Sequence, residues 1–375
     1  MAAERTVLAA LRQFLPAFKQ QAQGLSKNQR RACWAFTHCR TPALGGQAFV
    51  CKPCRQTHFA WHSCNHKACP QCGGGATAAW VQREMAKLVQ APYFLVTFTL
   101  PAQLRSCFFG SSAKEAYDLF FTAVSGALSE KLATAKGFKA DVSGFTAVLH
   151  TWNQQMGFHP HIHCLVPGAG LDEEGRFVRV KQADFLVHLP HLQAAFRQHL
   201  RQLFDIHGWQ VDPDVWSLDW GVHIQPAGTG AAALKYLGTY VARTAIHDAR
   251  LVQITEETVS FRWKNRDAGR IDICTLPGTE FVRRYLQHVL PRGLRSVRYY
   301  GFCHPAAKAK RLRVQCHAGG PVQLGDTTPV PAPLARPHCC PRCDQPMTFL
   351  RKIPSPYSQR GPPRPIALYI SRAQT

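Results

Sequence analysis

Acid is scarce in this chain: Asp and Glu number 22 against 45 Lys and Arg, a formal net charge of +23. An imbalance of that size argues against a merely soluble basic surface and for a polyanionic partner, most often nucleic acid bound through its phosphates. Long apolar runs are missing as well. The longest, YFLVTFTL at 93–100, falls far short of the roughly 20 residues a membrane-spanning helix needs. The first residues, MAAERTVLAALRQFLPAF, break their apolar pattern with Glu4, Arg5 and Arg12, which excludes a secretory h-region. No internal repeat stands out. Together these absences predict a cytoplasmic chain, and in that compartment fifteen cysteines argue for metal ligation rather than a disulfide framework.

What is present is enough for a sizeable core: 375 residues, 46% hydrophobic and 10% aromatic. At roughly 100–200 residues per domain the chain holds two or three domains. Val7, Leu8, Leu11, Phe14, Leu15 and Phe18 recur at helical spacing, so 4–20 reads as an amphipathic helix. Further helices are expected at 76–90, 113–135, 181–208 (interrupted by Pro190), 228–246 and 278–289. Strands are expected at 92–101, 144–152, through the following histidine run, and at 251–256, 258–264, 270–275 and 296–301. Hairpin-like pairs rather than regular βαβ units predict an α+β fold with a mainly antiparallel central sheet. The expected division is an N-terminal helix over 1–28, a metal-stapled module over 29–75, a connecting helix over 76–90, a main domain over 91–302, and a loose, basic, Pro-rich C-terminal region over 303–375.

The module of residues 29–75 is where cysteines crowd. Cys51-x2-Cys54 followed by Cys69-x2-Cys72 reads as the two knuckles of a tetrahedral zinc ribbon. Each knuckle aims two thiolates at one ion from a tight turn, and Zn²⁺ keeps them ionised. Cys39, His58, His62, Cys64 and His66 are left over for a second site. Cys33 is either a ligand or packs beside Trp34. Closed sites of this kind are structural. Near the C-terminus, HCCPRC supplies Cys340-x2-Cys343, a single knuckle that could hold a third zinc.

Chemistry is expected elsewhere, in GFHPHIHCLVPGAG (157–170) and KYLGTYVART (235–244). Side chains alternate along a strand, so His161 and His163 share one face with Ile162 opposite, and two imidazoles so placed can chelate a divalent cation. The bland alternative is a pair of surface histidines on an edge strand. On a helix Tyr236 and Tyr240 fall one turn apart. Such a pair is either core or, given Lys235, Thr239, Arg243 and Thr244 around it, a pair of nucleophiles beside a metal.

This combination resembles the HUH transposases, and among them the two-tyrosine rolling-circle type (the insertion-sequence-ninety-one type). The matching pieces are CRTPALGG, the run Cys51 to Cys72, VLHTWNQQMGFHPHIHCLVPGAGL, KYLGTYVARTAI and FVRRYLQHVLPRGLRSVRYYGF, spread over roughly residues 30 to 302. The resemblance implies a ferredoxin- or RRM-like sheet carrying the histidines, Mg²⁺ or Mn²⁺ as catalytic cation, and cleavage of single-stranded DNA through a 5′-phosphotyrosine link. By position it makes His161 and His163 metal ligands and Tyr236 and Tyr240 nucleophiles, within a catalytic domain at 91–302. Such an enzyme needs a third ligand. His150, on the preceding strand, is the choice, with Gln154 and Gln155 as rivals. Ala68 stands where relatives are expected to carry His, which bears on the second zinc's ligand set.

DNA contact is expected from Lys235, Arg243, Arg283, Arg284, Arg295 and Arg298, interleaved with Tyr285, Tyr299 and Tyr300 that could stack on unpaired bases. The competing readings are a plasmid replication initiator or relaxase, and a zinc-ribbon DNA-binding protein without catalysis. The compact chain and its zinc module argue against the first of these.

Overall fold

The computed structural model describes residues 5–72, 74–241, 245–320 and 338–357. The chain opens with helices α1 (Val7–Gln21) and α2 (Lys27–His38), the second started by a capping box between Ser26 and Gln29. A hairpin follows, β1 (Gly46–Cys51) and β2 (Gln56–Trp61), and then helix α3 (Gly74–Met85). The central region contains β3 (Tyr93–Thr99), α4 (Ala113–Thr134), β4 (Gly144–Trp152), β5 (Phe158–Pro167), the short pair β6 (Ala169–Leu171) and β7 (Phe177–Arg179), α5 (Leu189–Ile206), β8 (Gly221–Pro226) and α6 (Ala231–Val241). A meander, β9 (Leu251–Ile254), β10 (Thr258–Asn265) and β11 (Arg270–Pro277), leads to α7 (Gly278–Leu286) and β12 (Val297–Gly301). Helix α8 (Lys308–His317) and strand β13 (Thr348–Ile353) complete the described elements.

The expected α+β architecture with antiparallel sheets is what the structure shows. Five strands in the order β12-β4-β5-β3-β8 form the central sheet, every neighbouring pair antiparallel. The period of two along β3 explains its two faces. Phe94, Val96 and Phe98 point into a core shared with α4 and α5, where the Phe98 and Phe196 rings meet edge to face at 5.1 Å. Each phenylalanine buried there contributes about 1.5–3 kcal/mol through removal from water. Leu95, Val148 and Leu165 face the other way, onto α3 and α6.

Helix α6 owes its seat to one small residue. A Cβ on Gly238 would come within 2.2 Å of Val81 Cγ2 on α3, so only glycine lets the two helices approach this closely. We expect Gly238→Leu to displace α6 from the sheet face, costing about 1–3 kcal/mol by overpacking. Thermal unfolding and the near-ultraviolet circular dichroism of Trp80 and its neighbours report the change.

Three sequence expectations need correction. Pro190 does not interrupt a helix; it occupies the first turn of α5, where its missing N–H is not needed. The edge strand β8 was not foreseen, because its largely exposed GVHIQP lacks a hydrophobic run. Residues 338–357 are not a loose appendix, since β13 pairs antiparallel with β1 and makes a three-stranded sheet of the N-terminal hairpin. The N-terminal helix is likewise integrated, its Leu11, Phe14 and Leu15 sharing one core with Phe261, Phe281 and Tyr285.

Candidate functional site

Three histidines converge on the α6 side of the central sheet. His150 lies on β4 directly opposite His161 on β5, and His163 follows two residues along the same face. Ring centroids are 5.1 Å apart for His150–His161, 4.5 Å for His150–His163 and 4.9 Å for His161–His163. One nitrogen from each lies within 4.8 Å of the others. Ile162 is buried on the opposite face, as strand alternation requires.

Hydrogen bonds orient the rings. His161 Nδ1 donates to the His159 carbonyl at 2.7 Å, which leaves Nε2 with the lone pair. Thr97 Oγ1, on the neighbouring strand β3, lies 2.8 Å from His163 Nδ1. Burial holds His161 down to about 4 and His163 down to about 3, with neighbouring imidazoles and Arg266 adding to the shift. Burial also holds His150 well below the ordinary imidazole range. All three are therefore neutral at pH 7, the form in which imidazole binds a metal.

Tyr236 stands over this cluster. Leu234 and Leu237 bury themselves to dock α6, while Lys235 and Tyr236 stay exposed, Tyr236 at 39%. The Tyr236 ring meets the His163 ring edge-on with centroids 6.0 Å apart. The Tyr240 side chain and Arg243 lie outside the described residues. Gln154 and Gln155 occupy the β4–β5 turn, where their carbonyls accept from Arg250 and Arg284.

Further residues join the site that the sequence had not marked. Arg266, exposed at the β10–β11 hairpin, is close enough for its charge to act on both His161 and His163. Arg105 donates to His159 Nδ1 at 2.8 Å. His288, half-buried, has its Nδ1 3.1 Å from Thr151 Oγ1, and Trp152 lies between it and His150. Of the basic residues expected to touch DNA, Lys235, Arg283 and Arg295 are exposed. Arg283 and Arg284 both pair with Glu280, and Arg298 pairs with Asp118 while stacking over Phe121.

The cysteines form two groups of four, paired differently from the spacing-based expectation. Cys51 and Cys54 do not meet Cys69 and Cys72. Strand β2 rises roughly 3.3 Å per residue and carries the chain away from the hairpin tip. Cys69 and Cys72 instead join Cys64 and Cys39, the last at the C-terminal end of α2. Cys72 Sγ is 3.6 Å from both Cys39 Sγ and Cys64 Sγ. Cys51 and Cys54 meet Cys340 and Cys343, with Cys51 Sγ and Cys343 Sγ 3.5 Å apart. A tetrahedral Zn²⁺ with bonds of about 2.3 Å needs sulfurs about 3.8 Å apart, so both groups fit that ion. His62 and His66 supply no atom to either group: the His62 carbonyl accepts from Arg40 N, and His66 Nδ1 accepts from Ala68 N. Cys33 is buried beside the first group but outside it.

Comparison with known proteins decides the family. Residues 144–311 match the family model described as "Putative transposase", and residues 10–100 match the one described as "Transposase zinc-binding domain". The chain is 34% identical over 348 residues to "Putative transposase y4qJ" of Sinorhizobium fredii, covering 87% of this chain and 86% of that one. The chain belongs to the IS91-type transposases. It is also 26% identical over 282 residues to "Transposase for insertion sequence element IS801" of Pseudomonas savastanoi pv. phaseolicola, covering 70% of this chain and 67% of that one. No solved structure matches. In this transposase the histidine cluster and Tyr236 lie inside the 144–311 match, and Cys39, Cys51, Cys54, Cys64, Cys69 and Cys72 lie inside the zinc-binding match. Zinc is thus the metal of its cysteine-rich domain, and DNA is the partner that a transposase handles. No helix among the described residues is long and apolar enough to cross a membrane.

Proposed function

We propose that this transposase cleaves and rejoins single-stranded DNA by transesterification at tyrosine, with Tyr236 and Tyr240 as nucleophiles. The observation that carries this reading is the exposed Tyr236 ring set edge-on against His163 in a cluster of three neutral histidines. His150, His161 and His163 would hold Mg²⁺ or Mn²⁺, which would neutralise charge on the scissile phosphodiester.

The chain's own groups supply the rest. A phenol with a free pKa near 10 is a weak nucleophile, so its proton must leave as it attacks. Lys235 precedes Tyr236 on the helix, and Arg266 at the β10–β11 hairpin lends positive charge to His161 and His163. As the Tyr236 oxygen bonds to phosphorus, the bond from phosphorus to the 3′ oxygen breaks. The phenol proton passes to solvent, and the departing 3′ oxygen takes one up. The 5′ end stays on the tyrosine until a 3′ hydroxyl attacks and reverses the exchange. Helical spacing puts Tyr240 one turn from Tyr236, so a second strand end could be held at the same time.

The test is a covalent-adduct assay with end-labelled single-stranded oligonucleotides from the ends of the element, in Mg²⁺ or Mn²⁺. Wild type is expected to give an SDS-stable protein–DNA species, and the Tyr236→Phe/Tyr240→Phe variant none. Equal adduct from both proteins would sink the proposal, as would its formation on duplex alone.

A further inference from the structure

We infer that Cys51, Cys54, Cys340 and Cys343 form a second structural zinc site, a clasp that fastens the C-terminal strand to the N-terminal zinc-binding domain. The 10–100 match to the zinc-binding family model does not reach Cys340 or Cys343, so half of this ligand set lies outside it.

Geometry carries the inference. The two knuckles come from opposite ends of the described chain, yet one sulfur from each of the four residues lies within 4.8 Å of all the others. Cys51 and Cys340 are buried, Cys54 and Cys343 partly so, and all are free thiols. At 3.5 Å the Cys51 and Cys343 sulfurs are far beyond the roughly 2.05 Å of a disulfide, which leaves a bridging ion as the chemistry that brings four thiols together.

Backbone conformation gives an independent sign. Among the described residues six non-glycine residues have positive φ: Arg40, Arg55, Asn65, Lys139, Met156 and Asp344. Four of these, Arg40, Arg55, Asn65 and Asp344, directly follow a grouped cysteine. The left-handed turn is costly for side-chain-bearing residues and persists where surroundings demand it. Its recurrence after Cys54 and Cys343 marks 51–55 and 340–344 as two copies of one ligand-presenting turn. The second copy is closed by Asp344 N donating to the Cys340 carbonyl at 2.8 Å and by Cys340 N donating to Gln345 O at 2.9 Å.

The surroundings close the site. Register pairs Val50 with Thr348 and Gly46 with Ile353, so β13 covers the edge of β1 that the hairpin leaves open. His58 Nε2 lies 3.7 Å from Cys340 Sγ, and His338 packs tilted against Phe49 with ring centroids 4.2 Å apart.

Zinc content and thiol reactivity test the clasp. The purified full chain is expected to hold two zinc ions, Cys340→Ser/Cys343→Ser one, and Cys39→Ser/Cys72→Ser one. A wild type with a single zinc, or a Cys340→Ser/Cys343→Ser variant that keeps two, would overturn the inference. Should that variant fail to fold, alkylation of wild type followed by peptide mass spectrometry decides. Cys51, Cys54, Cys340 and Cys343 should then react at least tenfold more slowly than the exposed Cys316 until a chelator is added. Reaction of Cys340 and Cys343 at the Cys316 rate would overturn the clasp.

Discussion

Cys69→Ser should unfold the core that joins the zinc-binding domain to the rest of the transposase, lowering stability by about 5 kcal/mol or more. Structural zinc sites contribute about 10–16 kcal/mol of binding free energy to the folds that close around them. Cys69 and Cys39 are fully buried, in the same cluster as Leu11, Phe14, Phe36, Phe261, Phe281 and Tyr285. Four thiols crowded without a cation cannot all ionise. Shared hydrogen bonds from Cys69 and its neighbours draw Cys64 down to about 5, while burial pushes Cys39 up to about 11. A bound Zn²⁺ is what keeps all four as thiolates at once. The neighbourhood depends on this group: Arg12 spans α1 and α2 by donating to the Phe36 carbonyl at 3.0 Å and the Cys39 carbonyl at 2.5 Å, and Tyr285 donates to the Ala68 carbonyl at 2.7 Å. Cys33→Ala is the control, because that thiol is buried in the same core outside the group and should cost only about 1–2 kcal/mol of packing. Thermal unfolding with zinc assayed in parallel checks both. A Cys69→Ser protein melting within a few degrees of wild type would mean that packing alone holds this core.

The residues show why parts of the molecule were legible in sequence and others were not. Strands β3, β4 and β5 were legible because alternation and β-branched or aromatic content act locally, and His161 and His163 inherit their shared face from that alternation. His150 could be named from its position on the neighbouring strand, which antiparallel pairing then sets opposite His161. The cysteine pairing was not legible, since a C-x2-C knuckle is the same local turn whichever knuckle completes it. What separates Cys51 from Cys69 is the length and direction of β2, and what brings Cys343 near, 292 residues away in sequence, is the pairing of β13 with β1. Arg266 was readable as part of a hairpin, but not the place where the hairpin tip comes to rest. Arg283, Arg284 and Arg298 illustrate the converse, because a basic run cannot reveal which cations already serve Glu280 and Asp118.

His161→Ala should reduce DNA cleavage and adduct formation by about a thousandfold or more, the scale on which a single group that stabilises developing charge acts. The fold should survive. His161 and His163 are neutral, so removing one imidazole strips no buried charge of its partner, and the sheet ladder through β4, β5 and β3 is made by backbone groups. The loss is expected to be graded by distance from the phosphate. Thr97→Val, which takes away only the hydroxyl beside His163 Nδ1, should cost about 10–100-fold, typical of a group that orients a ligand rather than supplying one. Single-turnover cleavage of a labelled oligonucleotide, with zinc content and melting temperature measured on the same preparations, separates the outcomes. If zinc is retained and cleavage lost, the histidine cluster and the thiol groups have different jobs, chemistry in one and architecture in the other. If His161→Ala instead cleaves at the wild-type rate, Tyr236 sits beside these imidazoles for packing alone, and the nucleophile must be sought away from this face of the sheet.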